Sequence, residues 1–299
     1  MIIQKNFAAI DIGSNAIRLL ISTITEQEDK EPTFKKTSLV RVPIRLGADV
    51  FTGGVISEES IGRMVDAMTA FKLLMRVYKT ERYRACATSA MRESENGRKV
   101  AQLLKEQTGI DVRIIDGRDE AAIIASTDLQ NLINTDKTYL YVDVGGGSTE
   151  FTLYANGETV ISKSFKLGTV RLLNETVPDK EWGRAEEWIS ETTKKFGKID
   201  LIGSGGNINN IFKSSGKAAG KPLNYLYMST YYDLLQSMTY EERITELNLN
   251  ADRADVIVPA TRIYLSAMKW SGARRIYVPK IGLSDGIIRS LYQETRSDV

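Results

Sequence analysis

The sequence predicts an α/β fold of mixed sheets flanked by helices, and three observations predict it. Short apolar runs alternate along the whole 299-residue chain with stretches whose apolar residues recur every three or four positions. Two distant segments, AAIDIGSNAIRLLI (8–21) and LYVDVGGGSTEFTL (140–153), echo one another. Both read strand, Asp, apolar residue, Gly, small polar turn, strand. The length is comfortable for two domains, and no Pro/Ser-rich linker marks a boundary between them.

The elements follow in order. FAAIDI (7–12) and AIRLLIST (16–23) are short apolar runs about a tight GSN turn and read as a hairpin. Ser57 is placed to cap a helix with Glu58 and Glu59 in its first turn. Ile61, Met64, Val65, Met68, Phe71 and Met75 then give that helix an apolar face. RYRACATSA (82–90) is a strand leading into a loop, 96–109 a helix closed by Gly109, and DVRIID (111–116) a strand. Residues 118–133 read as a helix and TYLYVDV (138–144) as a strand. EFTLY and ETVISKSFK are further strands, followed by a helix around 179–196 and the strand DLIGS (200–204). More helices run to about 270, then the strand RRIYVP (274–279) and a final helix, SDGIIRSLYQE (284–294).

Composition excludes several classes of function. The chain has no histidine, which removes Ser-His-Asp triads, HExxH metal sites and histidine bases together. Catalysis must use carboxylates, hydroxyls, Lys, Arg, backbone amides or a bound metal. Cys86 is the single cysteine, so there is no disulfide framework or cysteine-based zinc site, and the thiol reads as a buried small residue. A net charge of +2 does not argue for a nucleic-acid polymer as partner. No stretch reads as a signal peptide or approaches the roughly 18 apolar residues of a membrane span, so the expected location is cytoplasmic.

The glycine turns carry the chemistry. In the echo Asp11 aligns with Asp143 and Gly13 with Gly145. One such turn alone is an ordinary hairpin; two, each with an Asp in an apolar strand just before it, are harder to dismiss. A strand-end carboxylate is costly to bury unless it holds a cation or a hydrogen-bond network. Glycine lets backbone amides approach an anion closely. Carboxylate beside glycine cradle is the chemistry of phosphate with a divalent metal. A third turn, LIGSGGNINNI (201–211), runs strand to helix, and its amides suit another anion. GKAAGKP (216–222) has the wrong spacing for a P-loop, and GSGGNI lacks the last glycine of a dinucleotide fingerprint.

The two phosphate turns followed by IGSGG resemble the actin-like ATPase superfamily of sugar kinases, actin and heat-shock chaperones. The detail is closer to its exopolyphosphatase / guanosine pentaphosphate phosphatase (Ppx/GppA) family, in a short two-domain form. AIDIGSNAIRLLI, RLGADV, ATSAMRESENG, IDGRDEAAII, VDVGGGSTEF, LGTVRL, GSGGN, RADVIVPA and GLSDGII carry the resemblance in family order over nearly the whole chain. It implies two actin-like (ribonuclease H-like) domains, 1–125 and 126–299, with a cleft between them and the last helix, about 284–299, able to pack back on the first. It also implies hydrolysis of a terminal phosphoanhydride bond in polyphosphate or guanosine pentaphosphate, with Mg2+ or a similar divalent cation. A homodimer is the arrangement that would extend the binding path for a long chain.

The same resemblance implies roles residue by residue. Asp11, Gly13, Ser14, Asn15 and Arg18 belong to the first phosphate turn, and Arg92 binds phosphate from the first domain. Asp143, Gly145, Gly146, Gly147 and Ser148 form the second turn, with Asp143, and Asp11 beside it, serving the metal. Glu120 and Glu150 match the catalytic carboxylates, and either could be the base. Gly205 and Gly206 stand where nucleotide-using relatives contact adenosine. Each also has a bland reading: an acid near a helix start for Glu120, an exposed strand residue for Glu150, surface pairing with Glu93 or Glu95 for Arg92. Lys163, Lys166 and Arg171 read as a solvated face or a polyanion path. Departures are Asp119 in DEA, Ser284 where the family carries a basic residue, and Pro259 where glycine is common. Two rival functions stay open: an actin-like kinase or ATPase, and a catalytically idle alarmone sensor.

Overall fold

The computed structural model describes residues 1–125, 127 and 136–297, and the chain divides into two compact units. Unit 1 comprises Met1–Thr127 with the segment from Leu283 onward; unit 2 ends at Gly282. The predicted helix over 118–133 is seen as Gly117–Ala125; its remainder lies outside the described residues, Thr127 excepted.

Unit 1 is built on a five-stranded sheet of β1 (Ile2–Ile12), β2 (Ile17–Gln27), β3 (Lys30–Val42), β4 (Arg82–Ala87) and β5 (Val112–Ile114), in the order β3-β2-β1-β4-β5. The first three strands are antiparallel neighbours, while β4 and β5 run parallel to β1. Strand alternation sorts the side chains. Ala8, Ile10 and Ile12 face a core shared with helices α1 (Leu46–Gly53), α2 (Glu58–Val77) and α4 (Gly97–Thr108). On the opposite face lie Phe7, Ala9 and Asp11. That face is covered by the last helix of the chain, α13 (Leu283–Ser297), whose Tyr292 ring meets Phe7 and against which α5 (Gly117–Ala125) packs. The caps read from the sequence are present. The Ser57 hydroxyl accepts from the Ser60 amide at 3.2 Å, and Gly109 closes α4 with φ 76°.

Unit 2 repeats the plan. Its strands are β6 (Thr138–Val144), β7 (Thr149–Ala155), β8 (Glu158–Phe165), β9 (Ile199–Ser204), β10 (Leu223–Asn224) and β11 (Arg275–Tyr277), ordered β10-β11-β9-β6-β7-β8. Read from the other end, β8-β7-β6-β9-β11 matches unit 1 strand for strand, with the same mixture of antiparallel and parallel pairs. Asn156 and Gly157, both at positive φ, turn β7 into β8, as a tight hairpin requires. Leu140, Val142 and Val144 face the core, packed with α7 (Glu181–Thr193), α8 (Gly206–Ser214), α9 (Tyr225–Ser237) and α12 (Ile257–Ser271). Tyr139, Tyr141 and Asp143 point the other way. Pro259, the departure noted above, sits in the first turn of α12, where a missing N–H costs no helical hydrogen bond.

Several short or edge elements went unread in the sequence. Among them, β3 is an edge strand with exposed lysines in place of apolar alternation, and α1 is one short helix entered through Arg45 at φ 63°. No helix among the described residues is long and apolar enough to cross a membrane.

Candidate active-site residues

Strand register places the echoing residues in equivalent positions. In unit 1 the cross-strand partners Arg41, Arg18, Asp11, Cys86 and Arg113 form one row over β3, β2, β1, β4 and β5. In unit 2 the row is Ser164, Glu150, Asp143 and Ser204 over β8, β7, β6 and β9. Asp11 thus corresponds to Asp143, and Arg18 to Glu150. One row is predominantly basic and the other acidic, although both descend from the same local pattern.

In unit 1 the Asp11 carboxylate accepts from Arg18 Nη1 at 2.8 Å, so the buried aspartate is charge-compensated by the arginine. The turn between them closes with the Gly13 amide donating to the Ala16 carbonyl at 3.1 Å. The carbonyls of Ser14 and Asn15 accept from the amides of Gly47 and Arg45, at 2.7 and 3.1 Å. Helix α1 therefore holds the carbonyl side of the turn, and the Ser14 amide donates to no protein acceptor among the described residues.

The second turn is built alike. The Gly145 amide donates to Ser148 O at 3.0 Å, while the carbonyls of Gly145, Gly146 and Gly147 accept from Thr169 N, Val170 N and Arg171 Nε. The Thr149 hydroxyl donates to the Leu167 carbonyl. Among the described residues, the Gly146 and Gly147 amides have no protein acceptor. Gly13 and Gly145 accordingly shape their turns with amides directed inward, and the amides without a protein acceptor belong to their neighbours Ser14, Gly146 and Gly147.

LGTVRL is thus the clamp behind the second turn. A Cβ at Gly168 would overlap the backbone of Gly146 and Gly147. Arg171, read as part of a solvated face, is instead buried against the Gly147 carbonyl at 2.7 Å, since a guanidinium can cap a carbonyl that no backbone amide reaches. Lys163, half-buried on the edge strand β8, lies over the Phe165 ring, 5.1 Å from its centroid.

The two glutamates are both buried. Glu120 is 9% exposed in the first turn of α5. Capping of that helix falls to Asp116, whose Oδ1 accepts from the Arg118 and Asp119 amides, each at 2.8 Å. Asp119 faces solvent and pairs with Arg113. Glu120 turns inward beside β4. Burial pushes the Cys86 thiol up to about 11, and the Asp11 and Glu120 carboxylates add to the rise while Arg84 and Arg113 oppose it.

Glu150 is 3% exposed, and its Oε1 accepts from the Ser148 hydroxyl at 2.6 Å and the Ser164 hydroxyl at 2.8 Å. The Ser148 hydroxyl therefore serves the carboxylate. Asp143 lies above two tyrosines. Burial, and after it the Asp143 charge, pushes the hydroxyls of Tyr141 and Tyr264 well above their ordinary values, so both stay neutral donors. Gly205, at φ 110°, brings the third turn against Asp143: a Cβ there would stand 3.6 Å from Asp143 Oδ1. The Arg253 guanidinium lies over Gly206, where a Cβ would meet Nη1 at 2.6 Å.

Arg92 donates to the Ile115 carbonyl at 2.8 Å and the Ser89 hydroxyl at 3.2 Å, using two of its five N–H groups. It joins α3 (Ser89–Glu93) to the segment entering α5. It also lines a groove of about 540 Å³ with Met91, Arg98, Asp111 and Asp116, whose mixed charge favours neither sign of ligand.

Among the described residues no group of three or more acidic, cysteine or histidine side chains forms a metal cage. The donor set around Asp143 suits a hard cation that keeps several waters and leans on substrate phosphates. Asp11, held by Arg18, suits it less.

Comparison with known proteins accords with this arrangement. The chain is 32% identical over 223 residues to a bifunctional 3-dehydroquinate synthase/phosphatase of Fusobacterium nucleatum, covering 68% of this chain and 33% of that protein. It thus spans about a third of that relative's length. Exopolyphosphatase 1 of Mycobacterium tuberculosis is 24% identical over 93% of this chain and 86% of its own. The crystal structure of the Aquifex aeolicus Ppx/GppA family member superposes with a TM-score of 0.76 at 25% identity, covering 98% of this chain and 99% of that one. The two mixed sheets flanked by helices are the two-domain actin-like fold of these relatives. Residues 23–295 match the Ppx/GppA phosphatase family, and the chain belongs to that family.

Proposed function

We propose that this protein hydrolyses the terminal phosphoanhydride bond of a short anionic phosphate chain, either inorganic polyphosphate or guanosine pentaphosphate. The observation that carries the reading is the pair of buried glutamates, Glu120 and Glu150, in a chain that has no histidine. A buried carboxylate is costly, and a general base is a reason to keep one. The names of the mycobacterial relatives support polyphosphate as the substrate class.

In this reading the amides of Ser14, Gly146 and Gly147 and the guanidiniums of Arg18 and Arg92 bind phosphate oxygens. Glu120 or Glu150 takes a proton from water as its oxygen attacks the terminal phosphorus. The bridging P–O bond breaks, and its electron pair leaves with the shortened chain. Asp143 would hold a magnesium-type ion, which supplies charge neutralisation at the phosphate oxygens when bound.

The test follows free phosphate released from polyphosphate, guanosine pentaphosphate and ATP, with magnesium and after chelation by EDTA. The reading expects release from one of the first two, lost on chelation and restored by magnesium. Turnover of ATP alone would favour the actin-like ATPase. Binding of a guanosine alarmone without release would favour the sensor.

A further inference from the structure

We infer that Ser164 is a positioning residue that fixes the orientation of the Glu150 carboxylate for taking the proton from water; this rests on the hydrolase reading above. Glu150 and Ser164 are direct cross-strand partners on β7 and β8. The Ser164 hydroxyl donates to Oε1 at 2.8 Å from one side, and the Ser148 hydroxyl to the same atom at 2.6 Å from the phosphate turn. A carboxylate oxygen has two lone pairs, so these two donors fill Oε1. The two hydroxyls also fix the rotation of the carboxylate plane, which a base must hold in register with its water.

Nothing in the packing asks for a serine at 164. β8 is an edge strand, and Ser164 is itself exposed, although its hydroxyl reaches a carboxylate that is buried. The next rung down the same strands supplies an internal control. There the Ser162 hydroxyl meets the Thr152 hydroxyl at 2.9 Å and touches no carboxylate. Ser162 and Ser164 share a strand, a face and a side chain, and differ in what the hydroxyl holds.

The experiment measures kcat, KM and thermal midpoint on short polyphosphate with magnesium for wild type, Ser164→Ala, Ser164→Thr, Ser162→Ala, Glu150→Gln and the Glu150→Gln/Ser164→Ala double variant. A hydrogen bond to a charged group corresponds to about a 10- to 100-fold effect. Ser164→Ala is expected to lower kcat by that factor with KM within about twofold, and Ser164→Thr to recover most of it. Ser162→Ala is expected to match wild type. In the Glu150→Gln background, removing the Ser164 hydroxyl is expected to change nothing further, since its only route to the reaction is then already lost. Wild-type kcat in Ser164→Ala overturns the inference, as does an equal loss in Ser162→Ala or an additive loss in the double variant. Wild-type turnover in Glu150→Gln also overturns the inference, since the carboxylate that Ser164 holds would then not take the proton; no phosphate release by wild type overturns the hydrolase reading itself and is recognised separately.

Discussion

At the scale of the residue, the two hairpins show how one backbone pattern carries opposite charge. Asp11 faces Arg18 across its turn, and Asp143 faces Glu150 across the equivalent one. Substituting a single cross-strand position converts a charge-compensated pair into an acidic one. The turns themselves depend on glycines that lie outside them. Gly168 is the sharpest case, because its missing Cβ is where the backbone of Gly146 and Gly147 runs. Backbone cannot step aside as a flexible side chain can. Gly168→Ala is expected to destabilise the protein by about 1–3 kcal/mol, seen as a lower thermal midpoint. It should also weaken substrate binding more than an alanine at Gly183, where a Cβ would meet nothing within 4 Å. Equal effects of the two alanines would show that the clamp behind the turn is not what shapes it.

At the scale of the element, α5 and α13 set the position of Glu120 within unit 1. α5 bears Glu120, and α13 packs against α5, β1 and β4. Ile287, Ile288, Leu291 and Tyr292 are buried by that packing. Contact with α5 is made at Gly286, where a Cβ would overlap the Ile123 carbonyl, one turn from Glu120. This gives a physical reason for the second glycine of GLSDG, a motif that carries no chemistry of its own. The departure beside it is accommodated locally: Ser284 is buried, and its neighbour Asp285 pairs with Lys36 at 2.8 Å. Gly286→Ala is expected to push α13 off α5 and lower kcat by about 10-fold or more, in line with the cost of misplacing a catalytic group by about an ångström. An alanine at Gly286 that leaves both kcat and thermal midpoint unchanged would contradict this coupling.

At the scale of the whole molecule, most of the architecture was legible because duplication makes a pattern visible twice. The echo of Asp11–Gly13 in Asp143–Gly145 reappears as matching strand order, matching register and matching turn hydrogen bonds. What stayed hidden depends on register and on neighbours far away in sequence. β3 escaped because an edge strand need not alternate, and lysines there oppose edge-to-edge pairing. Arg171 looked like a surface residue because its carbonyl partner lies 24 residues back. Ser164 gave no signal, since its meaning comes from standing opposite Glu150. The basic side chains are equally informative about substrate. Arg171 and Lys163 are engaged within the protein, and the chain carries a net charge of only +2, so a long polyanion would gain few contacts beyond the turns. Specificity constants are therefore expected to be similar for short and long polyphosphate, with intermediate lengths accumulating. A strong preference for long chains without intermediates would point to a path that these residues do not supply.

The central claim is that two buried glutamates stand in for the missing histidine, and turnover in their glutamine variants tests it most directly. Glutamine keeps the shape and removes the charge. Glu120→Gln and Glu150→Gln, each verified as folded by thermal melting, are expected to release phosphate about 100- to 10,000-fold more slowly than wild type, the usual range for a general base. Near wild-type rates in both variants would contradict the account.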